Sequence, residues 1–184
     1  NEVADRFSFR RVADGELESL RQCDAREIMR RLGVKRWKLP MIARYVRARM
    51  AADVQKIGLF PGVDEMLAKL AAEAVKLAVV SANFEATIRT VLGPHNTPLI
   101  LGLAAVLWLF LKLNKLIRMA KLTGGPLSET IVIGDELRDL DAARAAGMAF
   151  GAVSWGATRA EAHQSLGADY VFEQMNQITD AVLA

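Results

Sequence analysis

Three acidic side chains follow directly after a short apolar run in the last third of the chain. Residues 131–133 are β-branched and predict a buried strand of a parallel sheet, and Gly134 separates them from Asp135, Glu136 and Asp139. Carboxylates at the carboxyl end of such a strand lie where open α/β sheets bind ligands, and these hard oxygen donors suit Mg²⁺. A solvated loop whose acids stabilise the dipole of the next helix explains the same residues.

Two other positions carry side chains that could bind a phosphorylated ligand. Ser81 and Asn83 follow a predicted strand over residues 76–80, beside the exposed amides of a helix start. Either residue could instead be an ordinary N-terminal cap of that helix. Lys112 is the first charge after a long apolar run, so it could neutralise a transferring phosphoryl group or simply end the run at the surface. The order of hydroxyl, lysine and paired acids is more specific than any one of them.

The composition allows one domain with a substantial core and gives little support to nucleic acid as a partner. Of 184 residues, 52% are hydrophobic and 24% charged, and the net charge is only +3. The single cysteine, Cys23, allows no internal disulfide, and neither His95 nor His163 has a zinc-like spacing with it. We expect a cytoplasmic protein, because one cysteine suits a reducing compartment and the sequence does not open on a secretory signal pattern.

Two helices are predicted in the first third of the chain, over residues 14–32 and 39–57. The second has apolar side chains four residues apart, which form one stripe. Its arginines lie mostly off that stripe: Arg44, Arg47 and Arg49. A solvated face explains these arginines better than attraction of an anionic substrate does.

From residue 60 onward, strand and helix patterns alternate. Strands are predicted over residues 76–80, 130–133, 149–154 and 168–172, and helices over residues 63–72, 85–92, 112–122, 139–146 and 175–183. This alternation is typical of a parallel sheet with helices on both faces. A receiver-like or dinucleotide-binding domain would share the pattern, although no Gly-x-Gly-x-x-Gly loop follows a strand.

Residues 99–111 contain no polar side chain. As a helix they would span about 20 Å, less than the roughly 30 Å of a membrane core. A buried segment is therefore a better interpretation than a membrane-inserted one, and periodicity does not decide between strand and helix. A patch used for self-association is a third interpretation, and it would suit a protein whose role is interaction.

The chain resembles the haloacid dehalogenase (HAD) superfamily of hydrolases, in particular its phosphoglycolate phosphatase-like members. The resemblance rests on Leu77-Ala78-Val79-Val80-Ser81-Ala82-Asn83, on Lys112, on Ile133-Gly134-Asp135-Glu136-Leu137-Arg138-Asp139 and on the segments 142–147 and 151–156. It implies a Rossmann-like α/β core with a parallel sheet and a small helical cap. It also implies hydrolysis of small phosphorylated metabolites through a phosphoaspartate, with Mg²⁺ as cofactor.

Site residues follow from this resemblance position by position. Ser81 would bind the phosphoryl oxygens with the help of Asn83, and Lys112 would neutralise the charge of the nucleophile and the phosphate. The implied metal ligands are Asp135, Asp139 and Glu136. The implied division of the chain is the end of a first core helix (1–9), a helical cap (10–58) and an α/β core (59–184).

Two features depart from the family pattern. The motif Asp-x-Asp-x-Thr, which supplies the nucleophile and the general acid/base, is not in the sequence. We expect the strand that carries this motif, together with the helix that follows it, to precede residue 1 and to comprise about 20 to 25 residues. We also expect the chain as given to have almost no turnover. The second departure is the apolar run over residues 99–111, where relatives usually carry polar residues and, directly before the lysine, a glycine instead of Leu111. A non-catalytic protein that binds a phosphorylated ligand is the alternative function.

Overall fold

The computed structural model describes residues 1–105 and 112–184. The helices are α1 (Glu2–Phe7), α2 (Leu17–Leu20), α3 (Ala25–Arg31), α4 (Leu39–Ala52), α5 (Val63–Ala72), α6 (Glu85–Asn96), α7 (Lys112–Thr123), α8 (Leu137–Ala146), α9 (Ala160–Ser165) and α10 (Met175–Leu183). The strands are β1 (Leu77–Ser81), β2 (Ile100–Ala105), β3 (Ile131–Gly134), β4 (Ala149–Val153) and β5 (Tyr170–Phe172). The predicted alternation after residue 60 is confirmed.

The prediction of one continuous helix over residues 14–32 is wrong. The chain turns between α2 and α3, where Asp24 has an extended backbone and its Oδ1 accepts a hydrogen bond from the amide of Glu27 at 2.7 Å. This N-terminal cap starts a new helix, because it satisfies a backbone donor that the helix itself leaves unpaired. The second predicted helix is also shorter than expected, since α4 ends at Ala52.

The described strands form two parallel sheets. β1 pairs with β2, and β4 lies between β3 and β5. Parallel strands place their carboxyl ends at one edge of each sheet, so Ser81 ends β1 and Gly134 ends β3 directly before the acids. The α/β fold with parallel strands is confirmed.

Residues 100–105 of the apolar run form strand β2, so this part of the run is a strand and not a helix. Leu101 in that strand is 58% exposed. Residues 106–111, including Leu111, lie outside the described residues, and self-association through residues 99–111 stays a prediction. Among the helices of the described residues, none has the length and apolar character needed to cross a membrane.

Helices α7 and α8 hold the two sheets in place. Their buried side chains form one cluster with those of β4, including Leu116, Leu140 and Phe150. Val80 of β1 packs against this same cluster, and Met66 of α5 packs against both of the other buried clusters. The strand ends that carry Ser81 and the acids are therefore fixed by shared packing, although no hydrogen bonds link the two sheets within the described residues.

Candidate active site

The turn after β1 forms one part of the site. The hydroxyl oxygen of Ser81 accepts a hydrogen bond from the amide of Asn83 at 3.2 Å. The N-cap position of α6 is taken by Phe84, without any side-chain hydrogen bond to the helix. The interpretation of Ser81 or Asn83 as an ordinary helix cap is therefore wrong, and their polar groups are not used to start the helix.

Lys112 and Asp139 form an ion pair between Nζ and Oδ1. Both side chains are largely buried, at 18% and 7% exposure. Gly134 provides the space for this pair, since a Cβ at that position would lie 2.6 Å from Oδ2 of Asp139. The structure thus brings the predicted lysine into contact with one of the predicted acids.

Asp135, which follows β3, is hydrogen-bonded to the loop that follows β4. Its Oδ2 accepts a hydrogen bond from the amide of Ala157 at 2.9 Å, and its carbonyl accepts one from the amide of Thr158 at 3.0 Å. A Cβ at Gly156 would overlap the Cβ of Asp135, so glycine is required for this approach. Among the described residues, no donor is directed at the second carboxylate oxygen, Oδ1, which leaves it available for a cation.

Glu136 does not share the surroundings of the other two acids. Arg138 donates a hydrogen bond from Nη2 to Oε1 of Glu136 at 2.6 Å. The sequence analysis did not single out Arg138. A basic residue in the first turn of a helix is unfavourable because of the helix dipole, so its presence there could have indicated a role outside the helix.

His163 is a second residue whose place the sequence did not reveal. Its side chain is fully buried, and Nε2 lies 3.4 Å from the carbonyl oxygen of Asp135. The ring also packs against Phe150, with 5.6 Å between the ring centroids. His163 therefore supports the backbone that carries Asp135.

The acidic side chains of the site bear on whether it could hold Mg²⁺. No group of three or more His, Cys, Asp or Glu side chains in residues 1–105 and 112–184 is placed to hold a metal ion. Mg²⁺ usually binds one or two carboxylates and completes its shell with water and substrate phosphate, so such a group is not required. Asp135 and Asp139 fit that role better than Glu136 does, because Asp135 follows Gly134 directly, Asp139 lies against Gly134, and Glu136 is paired with Arg138. The metal ligands stay a prediction.

A cavity of about 1220 Å³ lies between α4 and the end of β1. The core contributes Ser81, Asn83, Lys112 and Arg138 to its lining, so three predicted site residues share one cavity. Asp135 instead lines a second cavity of about 310 Å³. The two cavities are separate, but residues in contact run from one to the other: Lys112 is paired with Asp139, and Asp139 lies against Gly134, which lines the second cavity.

Arg47 connects α4 to the turn after β1. Its Nε donates a hydrogen bond to the carbonyl of Ala82 at 2.7 Å. Arg47 therefore does more than cover a solvated face, since it binds the turn after β1 and lines the cavity. Arg49 is paired elsewhere, with Glu2 and Asp53.

The described lining of the large cavity contains basic side chains and no acidic ones. The basic side chains are Arg26, Arg30, Arg36, Arg47, Lys112 and Arg138. Several have partners, including Arg30 with Glu27 and Arg138 with Glu136, but these acids lie outside the lining. Such an excess of one charge in a partly enclosed space favours an anionic ligand.

Comparison with known proteins shows the family of the chain. A family profile described as haloacid dehalogenase-like hydrolase matches residues 1–153. A phosphoglycolate phosphatase of Synechococcus elongatus is 26% identical over 183 residues, which is 99% of this chain and 86% of the relative.

Solved structures share the fold. A Lactobacillus plantarum protein assigned as a phosphoglycolate phosphatase superposes with a TM-score of 0.78 at 18% identity, over 97% of this chain and 86% of that one. A Lactobacillus delbrueckii protein with the same assignment gives a TM-score of 0.67 at 22% identity, over 82% of this chain. The alignment spans 64% of the length of the Lactobacillus delbrueckii protein.

Proposed function

Since the chain belongs to the haloacid dehalogenase-like hydrolase family, we propose that it carries the Mg²⁺-dependent site of a phosphatase for small phosphorylated metabolites. One observation supports this most: Ser81 and Lys112 line one cavity whose charged lining side chains are all basic. The similarity to phosphoglycolate phosphatase makes phosphoglycolate the first ligand to test.

The proposed reaction is hydrolysis of a phosphate monoester. The bond between phosphorus and the ester oxygen breaks, an oxygen from water becomes bound to phosphorus, and the alcohol leaves with a proton. Positioning and charge neutralisation supply most of the catalysis in such reactions. The chain's own residues would therefore act mainly by holding and neutralising the phosphoryl group.

Ser81 is suited to hold a phosphoryl oxygen. Its oxygen already accepts a hydrogen bond from the amide of Asn83, so its hydroxyl proton can be donated to the ligand. Lys112 would offer ammonium protons to the same group, and Asp139 fixes the position of that ammonium. When bound at Asp135 and Asp139, Mg²⁺ would neutralise further phosphoryl charge.

The nucleophile is the part of the machinery that residues 1–184 do not supply in the expected form. The only Asp-x-Asp pattern is Asp139-Leu140-Asp141, and its first aspartate is paired with Lys112. We therefore propose that the chain as given binds phosphate esters with very little turnover. Binding without hydrolysis as the native role is the alternative function.

The proposal includes a division of labour along the chain. Residues 10–58 would be the cap that faces the ligand, residues 59–184 the α/β core, and residues 1–9 the end of a core helix. Helix α1 contacts α4 through the rings of Phe7 and Tyr45, whose centroids lie 5.6 Å apart.

We further propose a cytoplasmic protein whose partner is a small molecule and not nucleic acid.

Calorimetry with inorganic phosphate, with and without Mg²⁺, tests the binding part. We expect Mg²⁺ to strengthen phosphate binding about tenfold or more, and Asp135→Asn to remove that gain. Asp141→Asn is the matched control, because Asp141 is an exposed carboxylate in the neighbouring helix α8 and lines neither of the two cavities. The absence of phosphate binding, or an affinity that is the same with and without Mg²⁺, would contradict the proposal.

Turnover of p-nitrophenyl phosphate with Mg²⁺ tests the argument that the nucleophile is not among residues 1–184. Rapid hydrolysis would overturn that argument.

A further inference from the structure

Helix α4 presents an apolar stripe to the large cavity and not to the hydrophobic core. The stripe consists of Leu39, Ile42, Ala43, Val46 and Met50, all of which line the cavity. Each of these positions has another of the set three or four residues away, so they share one face of the helix. None of the five belongs to a buried cluster within the described part of the chain, and no α4 residue there is fully buried.

Side chains outside α4 extend this apolar wall. Met29, Val34 and Trp37 also line the cavity, and Trp37 is 65% exposed. Contact between water and a large exposed aromatic ring beside an apolar helix face is unfavourable. A ligand that covered both would remove this apolar surface from water and would gain binding free energy. The wall and the phosphate-binding side chains belong to the same cavity.

The size of the cavity does not match a ligand as small and polar as phosphoglycolate. Sites of about 300–1000 Å³ enclose drug-sized ligands, and this cavity measures about 1220 Å³. Phosphoglycolate would occupy the basic end beside Ser81 and Lys112 and would leave the α4 stripe uncovered. The described lining also lacks acidic side chains, which disfavours a cationic ligand.

We propose that the phosphate ester bound here has a bulky, uncharged apolar or aromatic alcohol part, which packs on the α4 stripe and Trp37. This inference rests on the proposed phosphate site, since the basic end of the cavity must hold the phosphoryl group. Apolar contact should strengthen binding by about fourfold for each buried methylene equivalent. The ligand is thus still a small phosphorylated metabolite, but a larger and more apolar one than phosphoglycolate.

Calorimetry on the full chain with Mg²⁺ tests this with three ligands: inorganic phosphate, phosphoglycolate and 1-naphthyl phosphate. We expect 1-naphthyl phosphate to bind at least thirtyfold more tightly than either of the others. Trp37→Ala and Ile42→Ala should each lower the affinity for 1-naphthyl phosphate several-fold more than that for inorganic phosphate. Met41→Ala is the matched control, because Met41 is 46% exposed on the same helix and does not line the cavity.

The outcomes separate this inference from the proposed function. If inorganic phosphate binds but 1-naphthyl phosphate binds no better, the apolar specificity is wrong and the phosphate site stands. The stripe would then face an apolar segment of this protein or of a second copy. If none of the three ligands binds, both proposals are wrong. The inference would also be overturned if Met41→Ala lowered the affinity for 1-naphthyl phosphate as much as Trp37→Ala does. The apolar wall would then not be the source of the tighter binding.

Discussion

The ammonium group of Lys112 is paired with the carboxylate of Asp139, 27 residues further along the chain. The pair lies between helices α7 and α8, and both side chains are largely buried. Each charge is therefore stabilised mainly by the other, and removing one of them leaves the second buried without a partner.

Replacement of Lys112 by methionine should destabilise the fold as well as weaken phosphate binding. We expect Lys112→Met to lower the free energy of unfolding by about 3 kcal/mol, because Asp139 keeps a buried charge without its cation. Urea denaturation followed by circular dichroism measures this. The double variant Lys112→Met with Asp139→Asn should recover part of the loss.

Lys121→Met is the control for this experiment, because Lys121 is exposed on the same helix and no acid is paired with it within the described residues. It should change the free energy of unfolding by less than about 0.5 kcal/mol. Additive effects in the Lys112 and Asp139 variants would show that the two side chains do not interact in solution.

Ser81→Ala should separate ligand binding from stability. Ser81 does not cap α6, so the variant should unfold within about 0.5 kcal/mol of the parent. Phosphate affinity should fall about tenfold, because one hydrogen bond to a charged group is lost. Ser165→Ala is the control, since that hydroxyl donates only to the carbonyl of Ala162 on the exposed surface. Unchanged phosphate affinity in Ser81→Ala would remove Ser81 from the site.

Gly156→Ala should disturb Asp135 without touching the large cavity. The new Cβ would overlap that of Asp135, so either the carboxylate or the loop that binds it must move. We expect the Mg²⁺-dependent part of phosphate binding to weaken about tenfold or more, and calorimetry with and without Mg²⁺ measures it. Gly58→Ala is the matched control, because no atom lies within 4 Å of a Cβ there. Equal Mg²⁺ dependence in both variants would argue against Asp135 as a ligand.

The segment around helix α3 should lose stability in acid. Hydrogen bonds from Arg30 and Arg31 lower the pKa of Glu27 from 4.5 to about 2. Because the folded pKa is the lower one, the stabilisation is complete above about pH 4.5 and is lost as the pH falls towards 2. Glu27→Gln should therefore lower the melting temperature slightly at pH 7, and the difference from the parent should disappear near pH 2.

Thermal melts at several pH values and salt concentrations test this prediction. The effect should be small and should decrease with salt, because the Arg30 and Arg31 side chains are largely exposed. Glu161→Gln is the control, an exposed acid at a helix start without a basic partner among the described residues. A difference between parent and Glu27→Gln that is constant from pH 7 to pH 2 would contradict the assignment.

The break between α2 and α3 shows where a local signal was present and not used. Asp24 is followed three residues later by Glu27, which is a pattern of helix starts. The backbone amide of Glu27 donates a hydrogen bond to the side chain of Asp24, so α3 begins there. The apolar periodicity over residues 14–32 favoured a single helix, because it continues across the turn.

The sequence by itself determined the α/β alternation and the polar residues at the strand ends, because the period of apolar side chains depends only on neighbours along the chain. It could not determine that Lys112 pairs with Asp139, that Arg47 binds the carbonyl of Ala82, or that the α4 stripe faces a cavity. These contacts join residues far apart in sequence, and only the packing of α7 on α8 and of α4 on the turn after β1 decides which of them meet. An amphipathic helix has the same pattern whether its apolar face meets the core or a ligand, so that choice belongs to the tertiary structure alone.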